Sequence, residues 1–138
     1  MIQLILIVLA LGARSIDIIN IAEPYENNEV IHWTSLTNAQ SNGKCTYVHF
    51  YSDNCPPCVT VQRTVYQDKE VVKALRSFNC VQVKVPSDTS IIWGVRRTPT
   101  DVWVSRKWKI MGRRRTPLDP KVFLDFFKKE KRKWLKLR

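Results

Sequence analysis

Nothing in this sequence repeats at a fixed period, and its only biased tract is a basic C-terminal end, which excludes solenoids, propellers and other arrays. No apolar run reaches the roughly 20 residues that a comfortable bilayer-crossing helix requires. Acidic residues are in short supply: 12 Asp and Glu against 23 Lys and Arg give a formal net charge of +11. That imbalance favours acidic partner surfaces, anionic lipid or nucleic acid through long-range attraction, but it says nothing about chemistry. No nucleic-acid-binding motif accompanies the charge, so nucleic acid is not an expected partner. Charged residues are nonetheless an ordinary 25% and hydrophobic ones 44% of 138 residues. Wholesale disorder is therefore excluded, and one domain with a real core fits the length.

The apolar run that is present spans Met1 to Gly12, interrupted only by Gln3, and Ala13-Arg14-Ser15 follows it. Its length fits the central region of an export signal, with small residues at the spacing of a cleavage site. The absence of Lys or Arg ahead of it counts against a signal and leaves open an uncleaved short anchor or a buried first strand. On the signal reading, residues 1–15 are a signal peptide and the chain is exported to a periplasm, secretory lumen or extracellular space. Without a signal the chain is cytoplasmic. Residues 16–30 then form a polar lead-in segment. The four cysteines, Cys45, Cys55, Cys58 and Cys80, allow two disulfides in an oxidising compartment, with pairing undetermined by count alone.

Along the rest of the chain, Thr34 or Ser35 can cap a short helix ending at Asn42-Gly43, with Leu36 and Ala39 inward. Cys45 to Tyr51 is rich in aromatic and β-branched residues and predicts a buried strand. Val81, Val83 and Val85 alternate with Gln82 and Lys84, a period of two that predicts another. Asp68 can cap a helix with Val71, Val72, Leu75 and Phe78 on its apolar face. Val102-Trp103-Val104 and Trp108-Lys109-Ile110 predict a hairpin across Ser105-Arg106-Lys107. Asp119-Pro120 starts a last helix whose apolar face is Val122, Phe123, Phe126 and Phe127. This order predicts an α/β fold, a mixed sheet with helices on both faces.

A Cys-x-x-Cys pair serves redox chemistry, zinc binding or structure. Here Cys55-Pro56-Pro57-Cys58 directly follows the strand Tyr47-Val48-His49-Phe50-Tyr51, and Gly94-Val95-Arg96-Arg97-Thr98-Pro99-Thr100 runs into a later strand. With these motifs in this order, the sequence resembles the thioredoxin family over about Ile31 to Lys129. Ile31-His32-Trp33-Thr34-Ser35-Leu36 and Asp68-Lys69-Glu70-Val71-Val72 look most like its exported branch. The resemblance implies the thioredoxin fold and a domain over residues 31–129. It also makes Pro56 to Gln67 a helix, against the β-branched Val59, Thr60, Val61, Thr64 and Val65, which by themselves suggest a strand.

The resemblance further implies a thiol–disulfide oxidoreductase that acts on protein disulfides without a cofactor. Cys55 at a helix N-terminus is its attacking thiolate, favoured by free amides and the helix dipole, and Cys58 one turn inside resolves the mixed disulfide. Pro56 and Pro57 lack N–H groups, which removes two donors from the thiolate and tilts the pair towards reductant. Pro99 resembles the family's cis-proline and leaves the Thr98 backbone to pair with substrate. An ordinary turn proline is the plainer alternative. His49 stands six residues before Cys55, where thioredoxins usually have a buried acid, and is either a proton carrier for Cys58 or a satisfied strand histidine. Asn54 and Thr116 replace the usual tryptophan and glycine, which puts the substrate surface in question more than the chemistry.

Cys45 and Cys80 fall near the starts of strands that the family pattern makes parallel neighbours. They form either a structural disulfide or, the reading we favour, two free buried thiols. A zinc site needs four converging ligands, and the same pattern keeps these two away from Cys55 and Cys58, so no metal is expected. Arg96 and Arg97 lie beside the implied groove and can select acidic segments. The other basic runs, Arg113-Arg114-Arg115 and the tail at residues 130–138, read first as solvated faces. Trp134, Leu135 and Leu137 among the tail cations also permit a helix lying on an anionic membrane. The electron donor or acceptor is not encoded. The competing function is a redox-silent binding module of the same fold that uses its basic surface.

Overall fold

The computed structural model describes residues 30–134 and residue 136. Contacts divide the chain into Met1–Val30 and Ile31–Arg138, and the second unit holds every element below. The signal at residues 1–15, nearly all of the lead-in, and Leu135, Leu137 and Arg138 lie outside the described residues.

The chain forms α1 (Leu36–Ser41), β1 (Thr46–Tyr51), α2 (Pro56–Thr60), α3 (Lys69–Leu75), β2 (Asn79–Lys84), α4 (Asp88–Ile92), β3 (Thr100–Val104), β4 (Ile110–Arg115) and α5 (Pro120–Trp134). The strands make one mixed sheet in the order β2-β1-β3-β4, with β1 parallel to β2 and antiparallel to β3, and β3 antiparallel to β4. Five of the six residues of β1 are buried, so its run of β-branched and aromatic residues belongs to a strand covered on both faces.

Alternation along the strands sorts the core into two layers. Tyr47, Cys80 and Trp103 face a cluster with Val61, Val65, Val72, Leu75, Phe123 and Phe127, so α3 and α5 cover that side. Val48, Phe50, Val81, Val102 and Val104 face the other way, towards Ala39 of α1 and towards Val95. Trp103 is fully buried, with the ring of Tyr47 at 4.5 Å and that of Trp134 at 4.7 Å.

Caps fix where the helices begin. Ser35 accepts from the Asn38 amide at the start of α1. Asp68 accepts from the Glu70 and Val71 amides, both at 3.0 Å, and Asp119 from those of Lys121 and Val122.

Three local features depart from the sequence expectations. After Thr60 the helix widens into a π-turn over Val61–Val65, closed by Tyr66 N donating to Val61 O at 3.0 Å. The hydroxyls of Thr60 and Thr64 donate to carbonyls one turn back, a competition that loosens helical bonding where β-branched residues crowd. α4 was not foreseen: its cap is a reciprocal pair of serines, Ser87 and Ser90, with no Glu or Gln to announce it. The fourth strand is not Trp108 to Ile110 but Ile110–Arg115, because Trp108 turns the chain at φ 63° and the register shifts beside Trp103. Arg113 to Arg115 thus lie on an edge strand, where charge discourages pairing with other chains.

The last helix also differs from its expected pattern. Its buried positions are Phe123, Phe127 and Trp134, while Val122 is half exposed at 50%. Trp134 belongs to the core, so it is not available to lie on a membrane. No helix among the described residues is long and apolar enough to cross one.

Replacing Asp68 by Ala removes the acceptor of two amides at the start of α3, and the expected loss of unfolding free energy in urea is about 1 kcal/mol. A variant as stable as the parent chain would show that the cap contributes nothing.

Candidate redox site

β1 ends at Tyr51, and within four residues the chain begins α2 with Cys55 as the N-cap. Asn54 makes the turn possible by taking φ 53°, a left-handed conformation that asparagine tolerates better than most residues. Pro56 then supplies a first helical position whose missing N–H costs no intrahelical bond. Cys55 and Cys58 form a disulfide with Cα atoms 5.2 Å apart. Cys55 is 9% exposed and Cys58 4%, so the first sulfur is the more accessible.

Two donors reach Cys55 Sγ. The Cys58 amide lies at 3.2 Å, the first amide of the helix that the two prolines leave available. The Thr98 hydroxyl lies at 3.5 Å and is itself held 2.6 Å from Ser52 Oγ. Thr98 is thus beside the sulfur pair, where its hydroxyl restores one of the donors that Pro56 and Pro57 omit. The Thr98–Pro99 peptide is cis and Pro99 is buried. Arg96 and Arg97 precede it on the exposed surface.

His49 is fully buried on β1, opposite Asp101 of β3. Its Nδ1 lies 3.0 Å from Asp101 Oδ1. The same carboxylate oxygen accepts from Tyr47 at 2.8 Å and from Thr116 at 2.6 Å, and the Tyr47 and Tyr66 hydroxyls meet at 2.7 Å. Burial first, and the Asp101 charge second, hold both phenols well above their ordinary range, so they stay protonated and remain donors. The other ring nitrogen, His49 Nε2, is buried with no partner.

Asp101 was missed in the sequence, although a lone acid beside Val102-Trp103-Val104 is the sort of buried charge that demands partners. Thr116, noticed only as a departure from the family pattern, is one of those partners.

Cys45 and Cys80 are free thiols, not the structural disulfide held open above. The register explains it. Cys80 stands opposite Tyr47, so Cys45, two residues before Tyr47 and just ahead of β1, is offset on a diagonal of roughly 8 Å at ordinary strand spacings, beyond the reach of a disulfide. Cys80 is buried but Cys45 is only partly so. Among the described residues no group of three or more His, Cys, Asp or Glu could hold a metal ion.

No protein-family profile and no curated protein matches the chain. Solved structures do. A thioredoxin from Thermus thermophilus is 25% identical, with a TM-score of 0.63 over 72% of this chain and 85% of that one. A DsbH oxidoreductase is 19% identical, with a TM-score of 0.65 over 79% and 87%. A putative disulphide-isomerase from Bacteroides thetaiotaomicron is 18% identical, with a TM-score of 0.63 over 75% and 95%. The mixed sheet with its flanking helices is therefore the thioredoxin fold.

Burial pushes the Cys80 thiol up to about 12, so it carries no thiolate at the pH of ordinary labelling. With the Cys55–Cys58 pair oxidised, iodoacetamide at about pH 8 is expected to modify Cys45 and leave Cys80 untouched until the chain unfolds. Equal labelling of the two in the native chain contradicts this arrangement.

Proposed function

We propose that this chain, a thiol–disulfide oxidoreductase of the thioredoxin family, delivers electrons to protein disulfides. The observation that carries the reading is the closed Cys55–Cys58 pair at the start of α2, with two donors on the sulfur of Cys55. In the reduced enzyme the Cys55 thiolate attacks one sulfur of a substrate disulfide, forming a mixed disulfide and releasing the other as a thiolate. The Cys58 thiol loses its proton and attacks Cys55 Sγ, releasing the second substrate thiolate, which takes up a proton. Two electrons have then passed to the substrate, and the pair is the disulfide seen here. A dithiol donor must reduce it again.

The missing amides of Pro56 and Pro57 support a reducing bias, since a less stabilised thiolate gives up electrons more readily. Thr98 Oγ1 moderates that bias without reversing it. Pro99 shapes the wall beside the pair, the Thr98 backbone pairs with an extended substrate segment, and exposed Arg96 and Arg97 favour acidic sequences around the target disulfide. His49 takes the proton of Cys58 on Nε2, and Asp101 holds the imidazole in the tautomer that can do so. The apolar run at Met1 to Gly12 supports export, to a compartment where protein disulfides are abundant.

With a disulfide-bonded protein as substrate, reduced Cys58→Ser is expected to accumulate a mixed disulfide through Cys55, and Cys55→Ser to accumulate none. Attachment at Cys45 or no trapped species overturns the assignment. Asp101→Asn presents an amide N–H to Nδ1 and moves the imidazole proton to Nε2. Release of the second substrate thiol is then expected to slow by about tenfold or more, with a changed pH profile. An unchanged profile leaves Asp101 and His49 a purely structural role.

A further inference from the structure

A cavity of about 520 Å³ lies at the opposite end of the sheet from the disulfide, where β1 begins and β3 turns into β4. That volume falls within the range of small-molecule sites, roughly 300–1,000 Å³. Its walls combine two chemistries. Phe78, Met111, Trp134 and the thiol of Cys45 supply apolar surface. Lys44, Arg106, Lys107, Lys109 and Lys131 surround it with five cations, and no acidic residue lines it.

None of these five cations joins an ion pair with a carboxylate among the described residues, where the pairs are His49–Asp101, Lys84–Asp53 and Lys133–Glu130. Gathering like charges about an apolar hollow is unfavourable without a counter-charge. The walls thus call for an apolar body and a negative end in one molecule.

We propose that this cavity binds an aliphatic carboxylate, its hydrocarbon chain against Phe78, Met111 and Trp134 and its anionic end among the lysines and Arg106. The site is separate from the redox pair. β1 is six residues long, so the two ends of the sheet lie about 20 Å apart. Occupancy therefore leaves disulfide exchange at Cys55 open. Cys45, partly exposed on the cavity wall, is a built-in reporter of occupancy while the other pair is oxidised.

The test measures alkylation of Cys45 by iodoacetamide in the full oxidised chain, by mass spectrometry, with dodecanoate held below its micellar concentration. Saturating dodecanoate is expected to slow the reaction by about tenfold or more, as mass action requires when nearly every site is filled. Dodecyltrimethylammonium, with the same chain and the opposite charge, is expected to give no protection. The double variant Arg106→Gln, Lys131→Gln is expected to raise the half-protecting dodecanoate concentration by about tenfold while still reducing protein disulfides at the parent rate. No protection by dodecanoate, equal protection by the cationic amphiphile, or protection only by vesicles of anionic phospholipid overturns the proposal. The vesicle result would assign this face to a membrane surface instead. Failure here leaves the redox assignment intact, because that assignment is read from trapping at Cys55.

Discussion

The chemistry of this molecule depends on one junction, the turn that takes the chain from the end of β1 to the start of α2. β1 lies between β2 and β3 and is buried on both faces, so its end is fixed by the core. A short turn with Asn54 in the left-handed region then delivers Cys55 to a helix N-cap. The amide of Cys58 points back and donates to Cys55 Sγ. Redox behaviour follows from how many donors that position offers, and the two prolines between the cysteines set the number low.

The same strand carries the second constraint. His49 is buried in β1, and burial of an imidazole is tolerable only with partners. Asp101 provides one from the neighbouring strand, and Tyr47 and Thr116 hydroxyls satisfy the carboxylate in turn. The buried acid stands on β3, directly opposite the imidazole on β1. A single polar network thereby joins β1, β3 and Thr116 just before α5. Burying such a network is tolerable because the carboxylate is satisfied from several sides.

Much of this was legible in the sequence. The strand before Cys55, the Asp68 and Asp119-Pro120 helix starts, and the alternation at Val81, Val83 and Val85 all follow from local chemistry that the tertiary structure leaves in force. The pair and Thr98-Pro99 could be placed together only through the order of motifs in a known family, since Cys55 and Thr98 stand 43 residues apart and meet at one end of two neighbouring strands. What stayed hidden depended on register. Nothing local announces that Asp101 faces His49, that Cys45 and Cys80 sit on a diagonal, or that Trp134 leaves the basic tail to pack against Trp103. The π-turn and the serine-capped α4 were missed for a different reason: their signals, back-bonding threonines and a Ser-x-x-Ser cap, are weaker than the patterns usually sought.

The most direct test of the account is a redox titration of the purified chain against a thiol–disulfide buffer, with the free thiols trapped and located by mass spectrometry at each step. A single two-electron couple confined to Cys55 and Cys58 is expected, with a potential nearer that of thioredoxin, about −270 mV, than that of strong periplasmic oxidants, about −120 mV. A couple near the oxidising value, or one that draws in Cys45 or Cys80, would contradict it.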